Sequence, residues 1–362
     1  MSANDRNGRA GVSRRDVLAA IGAAALAGCF RRRPRPDVDP ERRLPPLERE
    51  LAIYNWSDYV APGTIPEFER EFGVRVTYDV FESNEEMLAK LHAGARGYDI
   101  VVPAGNFVTP LVALGLAARY SRRYVPNATY LSPLFRRLPF DPEGAYTIPY
   151  QWGITGIAWR QDLLPEPPTG WDTFYDVRLR GKLTQLDDMR DAIGAWLRFR
   201  GRSLNATDPP ALEGARVDAV RAKANLKAYI SAPVKAQLIA GDVWAAQLWN
   251  GDAAQARAEQ PAISFTTPRE GSAIWLDSLV ITADAPHPRA AHEFINYVLR
   301  PEVGADITAA TGYGTPNAAA FELLENPVPY PTPDELARLE YAADLGRATA
   351  LWDRIWTEIK AA

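Results

Sequence analysis

The sequence predicts an α/β protein of two domains with a ligand crevice at the carboxyl end of its first strand. Three observations carry that prediction. Between Leu51 and Val102, apolar strand-like runs alternate with amphipathic helical stretches, the order of an α/β layer. The chain has 362 residues, more than one compact core needs. Trp56 and Asp58 follow directly on the first apolar run, and in open α/β sheets ligands bind where a strand ends.

The chain opens on a leader. Ser13-Arg14-Arg15-Asp16-Val17-Leu18 precedes a short apolar run from Ala19 to Gly28. A basic segment before such a run reads as a secretory signal, because a bilayer span needs roughly 18 or more apolar residues. The Arg14-Arg15 pair resembles a twin-arginine export signal, which implies folding before export. Leu26-Ala27-Gly28-Cys29 resembles a bacterial lipobox, in which cleavage leaves Cys29 as the lipidated N-terminus. Residues 1–28 are thus expected to be a signal peptide, with an uncleaved anchor or a plain signal as the alternative. Residues 29–50 are rich in Arg and Pro without periodicity and read as a disordered or extended tether. Its Arg31–Arg33 run could also touch anionic lipid.

Leu51–Tyr54 is the first strand. A helix is expected over Thr64–Phe72, with Ile65, Phe68 and Phe72 on one face and Gly73 as its stop. Val74–Phe81 reads as a strand. Ser83-Asn84-Glu85-Glu86 is a capping box for a helix to about Ala93, ended by Gly94. Tyr98–Val102 is a continuous apolar strand of the doubly buried kind. Tyr146–Trp159 reads as a strand crossing into a second lobe. A helical region is expected from Gly170-Trp171-Asp172, a strand over Gly181–Leu186, and a helix capped at Asp187–Asp191 and running through Phe199. Residues 201–218 are polar with proline and read as surface. Val243–Trp249 is strand-like and ends in a tight turn at Asn250-Gly251-Asp252. Ala262–Thr266 and Ile274–Thr282 are strands, Arg289–Leu299 is an amphipathic helix, and Pro301 restarts a helix at its favoured first position. Gly312–Pro316 is a loop, and Asp334–Lys360 reads as helix.

Composition narrows the function. Net charge is −4, and the arginine-rich leader and tether leave the body more acidic still, which disfavours nucleic acid and favours cationic ligands. A single cysteine, Cys29, and three scattered histidines leave no recognisable Cys/His metal site, cysteine nucleophile or internal disulfide, and no cofactor is expected. Instead, acid–aromatic pairs recur. Trp275 and Asp277 alternate onto the same strand face. Asp188 and Asp191 are three apart at a helix start and face one way. Trp249 and Asp252 flank the Asn-Gly turn, and Trp56 and Asp58 close the first strand. A ring face attracts an organic ammonium and a carboxylate accepts its N–H groups. Each pair alone also fits a core tryptophan beside a capping or solvated aspartate; four together favour a cation box. Asp188 and Asp191 could in principle do acid–base work, but no triad or metal cluster accompanies them, and a binding protein is expected, not an enzyme.

With these residues in view the chain resembles the spermidine/putrescine-binding proteins, the substrate-capturing components of bacterial polyamine ABC importers. The resemblance rests on Tyr54-Asn55-Trp56-Ser57-Asp58-Tyr59, Phe81-Glu82-Ser83-Asn84-Glu85, Tyr98–Pro103, Ile148-Pro149-Tyr150, Trp275-Leu276-Asp277-Ser278-Leu279, Leu299-Arg300-Pro301 and Gly312–Asn317, and covers nearly all of residues 51–362. It implies a two-lobe type II periplasmic binding protein fold, with hinge-crossing strands and the ligand cleft between lobes. Residues 51–153 and 276–321 would form lobe 1, and residues 154–275 and 322–362 lobe 2. The family's aromatic box falls on Trp56, Trp249, Trp275 and Tyr313, and its ammonium-binding carboxylates on Asp188, Asp191 and Asp277. Asp58 and Asp252 match acids of putrescine-preferring members; Ser57 and Tyr59 match contacts near one amine. The implied partners are a polyamine, ABC permease subunits and the membrane through the lipid anchor, with the protein itself monomeric.

There are departures. The family's Ser-x-Tyr after the Val-Val-Pro strand is here Ala104-Gly105-Asn106, its C-terminal Gln is Ala342, and Asp191 stands where Glu is usual. These changes bear on which polyamine is taken. Capture of another cationic solute, or a receptor that reports polyamine to a signalling protein, are the alternatives within the same fold.

Overall fold

The computed structural model describes residues 43–164, 166–231, 233–325, 328 and 330–362. The leader, Cys29 and most of the tether therefore lie outside the described residues. The tether's last stretch is not free of the body. The Leu44 N–H donates to the Tyr124 hydroxyl at 3.1 Å, and the Glu48 carboxylate accepts the Ala290 N–H at 2.8 Å. The expectation of an unstructured tether up to residue 50 is corrected there, since side-chain anchors too far off in sequence to be foreseen fix it.

β1 (Glu50–Trp56) pairs in parallel with β2 (Arg75–Phe81) and β3 (Ile100–Val101). The crossovers are α1 (Thr64–Phe72), stopped by Gly73 at φ 64°, and α2 (Asn84–His92), capped by Ser83. Ser83 Oγ accepts the Glu86 N–H, but the Glu86 carboxylate returns to the N–H of Glu82 rather than Ser83. β3 is shorter than the sequence suggests, because the Asp99 carboxylate, not another strand, takes the Ala52 N–H. α3 (Gly105–Ala113) follows.

β4 (Thr147–Arg160) is 14 residues long and spans both halves of a 10-stranded sheet, in which eight strands lie in the order β2, β1, β3, β9 (Ser272–Ile281), β4, β7 (Ala245–Trp249), β5 (Leu183–Gln185), β6 (Leu226–Tyr229), while β8 (Ile263–Thr266) pairs with β4 and β10 (Leu339–Tyr341) with β9. The second half holds β5 (Leu183–Gln185), α4 (Met189–Phe199), α5 (Pro209–Lys223), β6 (Leu226–Tyr229), α6 (Val234–Ala240), β7 (Ala245–Trp249), α7 (Asn250–Glu259) and β8 (Ile263–Thr266). The chain returns through β9 (Ser272–Ile281) to α8 (Pro288–Val298), α9 (Pro301–Thr311) and α10 (Ala318–Phe321). It ends in α11 (Pro333–Leu336), β10 (Leu339–Tyr341) and α12 (Thr349–Ala361). β4 runs antiparallel to β9 from Thr147 to Ile154 and to β7 from Thr155 to Trp159. Each half has its own core. One gathers Ile53, Phe68, Ile148, Phe294 and Ile307, the other Trp171, Trp196, Leu212, Trp352 and Ile355.

Several expectations are corrected. Residues 201–218 are not simply surface. α5 starts at Pro209, its Ala211, Leu212, Ala215 and Ala219 are buried, and Asp208 caps it. Small alanines, not bulky apolar residues, carry that face, which hides the period. Asn250-Gly251-Asp252 is the first turn of α7, not a separate tight turn. The helical region from Gly170 is short 3-10 turns. The C-terminal helix is broken by β10, whose Leu339–Tyr341 pair with Ser272–Ile274 of β9.

The approach to β4 is organised by one buried acid. Asp141 accepts the N–H groups of Ala145, Tyr146 and Thr147 and the Thr147 hydroxyl, at 2.8–3.0 Å. Removing it leaves buried donors without partners, each costing about 1–3 kcal/mol. Asp141→Ala is expected to lower the free energy of unfolding by at least ~2 kcal/mol in urea titration; a change below ~0.5 kcal/mol, the level of an ordinary surface substitution, would contradict that role.

Candidate functional site

The site is laid out on one face of β4. Side chains alternate along a strand, so Gln151, Gly153 and Thr155 point the same way. The register sets Gln151 opposite Asp277, Gly153 opposite Trp275 and Thr155 opposite Trp249. Each pairing has a consequence. The Gln151 amide donates to the Tyr59 carbonyl at 3.0 Å and its oxygen accepts the Thr311 hydroxyl. At Gly153 a Cβ would come within 2.2 Å of the Trp275 ring, so only glycine seats that indole. Thr155 Oγ1 donates to Asp191 Oδ1 at 2.8 Å, while Trp249 Nε1 donates to the other oxygen at 3.0 Å.

Around Asp277 the rings close in. Tyr59 donates its hydroxyl to Asp277 Oδ2 at 2.6 Å, and its carbonyl accepts the Tyr150 hydroxyl at 2.6 Å. Tyr313 meets Tyr59 edge-on with centroids 5.5 Å apart and Trp275 at 5.1 Å. Gly314 straps the Tyr313 loop to β4 by exchanging both backbone hydrogen bonds with Trp152. At Gly251 a Cβ would lie 2.0 Å from the Tyr313 ring, a second close approach that only glycine allows. The Tyr313 hydroxyl donates to Asp252 Oδ1 at 3.2 Å.

The structure thus brings together Tyr59, Asp277, Trp275, Tyr313 and Asp252 in one group, and Asp188, Asp191 and Trp249 in another. Asp188 caps α4 by accepting the Asp191 N–H at 2.8 Å. The helix-cap reading holds for Asp188. Trp56 is set differently: it packs on Phe81 at 4.5 Å and donates to the Val102 carbonyl. Ser57 and Asp58 are exposed. Asp58 is the one non-glycine with positive φ among the described residues, at 52°, a conformation that short polar side chains tolerate. Ala104, the first residue of the segment that departs from Ser-x-Tyr, forms a bridge with Asp277, and Ala342 follows directly on β10.

Electrostatics single out the acids. Asp277 is 7% exposed, and burial pushes its carboxyl up to about 7 against the Tyr59 hydrogen bond. Burial, then the Asp188 charge, lift Asp191 to about 7, against its bonds from Thr155 and Trp249 and the Arg190 charge. Burial also raises Asp188 and Asp252. Asp188 and Asp191 keep some solvent contact in area terms, yet protein surrounds them, and the surrounding protein sets the direction. Glu85 of α2 is exposed, but enclosure and then the nearby Asp188 charge raise it. Among the described residues no Lys or Arg forms an ion pair with Asp277, Asp188 or Asp191. The β4 face (Gln151, Gly153, Thr155) and Gly251 were missed from sequence; a glycine inside an apolar strand was the available signal.

An acid whose folded-state pKa is lifted from about 4 to about 7 binds its proton more tightly when folded. Its stabilising effect is complete below about pH 4 and is lost as pH rises towards 7. Asp277→Asn mimics the protonated acid. Without ligand, the variant is expected to gain stability relative to the parent as pH rises from 4.5 to 8. Thermal midpoints whose difference stays flat across that range would contradict the buried, uncompensated carboxylate.

Comparison with known proteins agrees with this architecture. The model of the bacterial extracellular solute-binding proteins matches residues 64–333. The chain is 35% identical over 318 residues to a spermidine/putrescine-binding periplasmic protein of Escherichia coli, covering 86% of this chain and 91% of that one. It is 31% identical over 330 residues to a putrescine/cadaverine-binding protein of Pseudomonas aeruginosa, covering 86% and 93%. The crystal structure of the TpPotD lipoprotein of Treponema pallidum superposes with a TM-score of 0.81 at 30% identity, covering 86% of this chain and all of that one. A two-lobed α/β chain with this sheet order, matched over most of its length at these identities, belongs to the bacterial extracellular solute-binding proteins.

Proposed function

We propose that the protein captures a polyamine, putrescine or spermidine, between its two lobes outside the cytoplasm and delivers it to the permease subunits of an ABC importer. The observation that carries this reading is Asp277: a carboxylate walled by Tyr59, Tyr313 and Trp275 and, among the described residues, paired with no cation. An ammonium group supplies the positive charge that this carboxylate can accept, and the rings attract the same cation through their faces. The binding residues are Trp56, Ser57, Asp58, Tyr59, Asp188, Asp191, Trp249, Asp252, Trp275, Asp277 and Tyr313. Asp277 lies on β9, beside β3, and the Asp188–Asp191 pair at the start of α4 in the second half, so a ligand with two separated ammonium groups suits them. Lobe bounds at 51–153 with 276–321, and 154–275 with 322–362, are supported by the two separate cores and by β4 and β9 as the crossing strands.

Relatives named for spermidine, putrescine and cadaverine support the ligand class. Ala104-Gly105-Asn106 and Ala342 remove two candidate partners for a third nitrogen. Putrescine is therefore expected to bind at least as well as spermidine. Calorimetry of residues 43–362 against putrescine, cadaverine, spermidine and spermine tests the assignment. Spermidine bound more than tenfold tighter than putrescine, about 1.4 kcal/mol, would overturn the preference. Asp277→Asn should weaken polyamine binding at least thirtyfold, roughly 2 kcal/mol; affinity within threefold of the parent would remove Asp277 from the site.

Membrane attachment through Cys29 is part of the same reading. Its support is the lipobox and a family relative that is itself a lipoprotein. Cys29→Ser should release the protein from membranes and abolish labelling by a fatty-acid precursor. Retention of both would leave the anchor elsewhere.

A further inference from the structure

Asp252 differs from the other acids of the box, because it already has a cation. Lys235, on α6, places Nζ 3.5 Å from Asp252 Oδ1. The same Nζ donates to Gln255 Oε1 at 2.7 Å, and the Gln255 amide in turn donates to the Thr311 carbonyl. The Tyr313 hydroxyl reaches the same Asp252 oxygen. Lys235 is therefore held against α7 by two side chains, one of which, Gln255, is itself tied to the end of α9. The Asp252 side chain is 13% exposed and that of Lys235 33%. Among the described residues the Asp277 and Asp191 carboxylates, by contrast, accept from neutral side-chain donors: a phenol, a hydroxyl and an indole.

A primary ammonium beside a largely buried carboxylate, with a phenol completing the carboxylate's shell, is the arrangement a polyamine terminus would adopt. We infer that Lys235 is a built-in occupant of the Asp252 end of the box and sets how many ammonium groups the site accepts. The inference rests on the polyamine reading and sharpens it. A diamine can be met at Asp277 and at the Asp188–Asp191 pair. The third nitrogen of a triamine finds Asp252 already neutralised and a like charge beside it. Counting acids alone overstates the negative charge that the ligand meets.

The test is calorimetric titration with putrescine and spermidine of the parent, Lys235→Met, Asp252→Asn, and the double variant. Lys235→Met should raise the spermidine-to-putrescine affinity ratio at least tenfold, because Asp252 is freed. In the Asp252→Asn background the same change should move the ratio less than threefold. Lys235→Arg, which keeps the charge, should leave the ratio near the parent's. A rise below tenfold in Lys235→Met overturns the inference. So does a rise of threefold or more in the double variant over Asp252→Asn, since Lys235 would then act without its partner. Lys235→Gln carries the same test, with the same thresholds, should the Met variant not fold. A parent that binds neither amine defeats the polyamine reading and this inference with it; a parent that binds while the ratio stays put defeats only the role of Lys235.

Discussion

The carboxylate of Asp277 is the constraint on which the site depends. An ionised acid taken out of water without a cation is strongly unfavourable. Here it is answered by one phenol, and the folded protein raises the acid's pKa to about 7 rather than supply a positive charge. The surroundings then follow. Tyr59 must hold still to donate, and its carbonyl is fixed by Tyr150 and Gln151, with Gln151 itself bonded to Thr311. Trp275 and Tyr313 must lie close enough to exclude water, and Gly153 and Gly251 clear the space for them. On the proposed reading, a cationic ligand relieves this unfavourable charge, and binding energy is concentrated on ligands that bring positive charge.

The second acid cluster reaches a similar state by another route. Asp191 stands in the first turn of α4, where backbone N–H groups and the helix dipole favour a negative charge. Enclosure and the adjacent Asp188 outweigh that and lift it to about 7. Asp277 and Asp191 are joined through β4, whose alternating residues touch the surroundings of both. Gln151 serves the Tyr59–Asp277 group and Thr155 serves Asp191. A single strand thus sets the spacing between the acids, and the intervening Gly153 leaves room for an aromatic wall between them.

Much of this was legible in the sequence where signals are local. Thr64–Phe72, Pro288–Val298 and Pro301–Thr311 announce themselves through an apolar period, a stop glycine or a leading proline. The paired acids and rings of β9, α4 and β7 were visible because a charge in an apolar strand, or two acids at a helix start, is unusual. What escaped depends on contacts distant in sequence or on small side chains. α5 buries a face made largely of alanine. β10 interrupts the C-terminal helix because an edge of β9 is there to receive it. The Trp56 ring packs on Phe81 and its indole bonds to the Val102 carbonyl, contacts that no local pattern announces.

The same limit bears on reading ligand preference from motifs. The acids of the box lie in stretches with recognisable spacing, so they can be matched position by position to relatives. The cation that changes their sum lies on α6, seven residues with no periodic signal and no motif. Asp252 was identified from sequence, and Lys235 was not. The number of acids in a pocket therefore states only the upper bound on the positive charge it will accept. The net charge facing the ligand depends on partners from neighbouring helices, and those are fixed by tertiary packing. On the inference drawn for Lys235 the difference is one ammonium group, which is also what separates a diamine from a triamine.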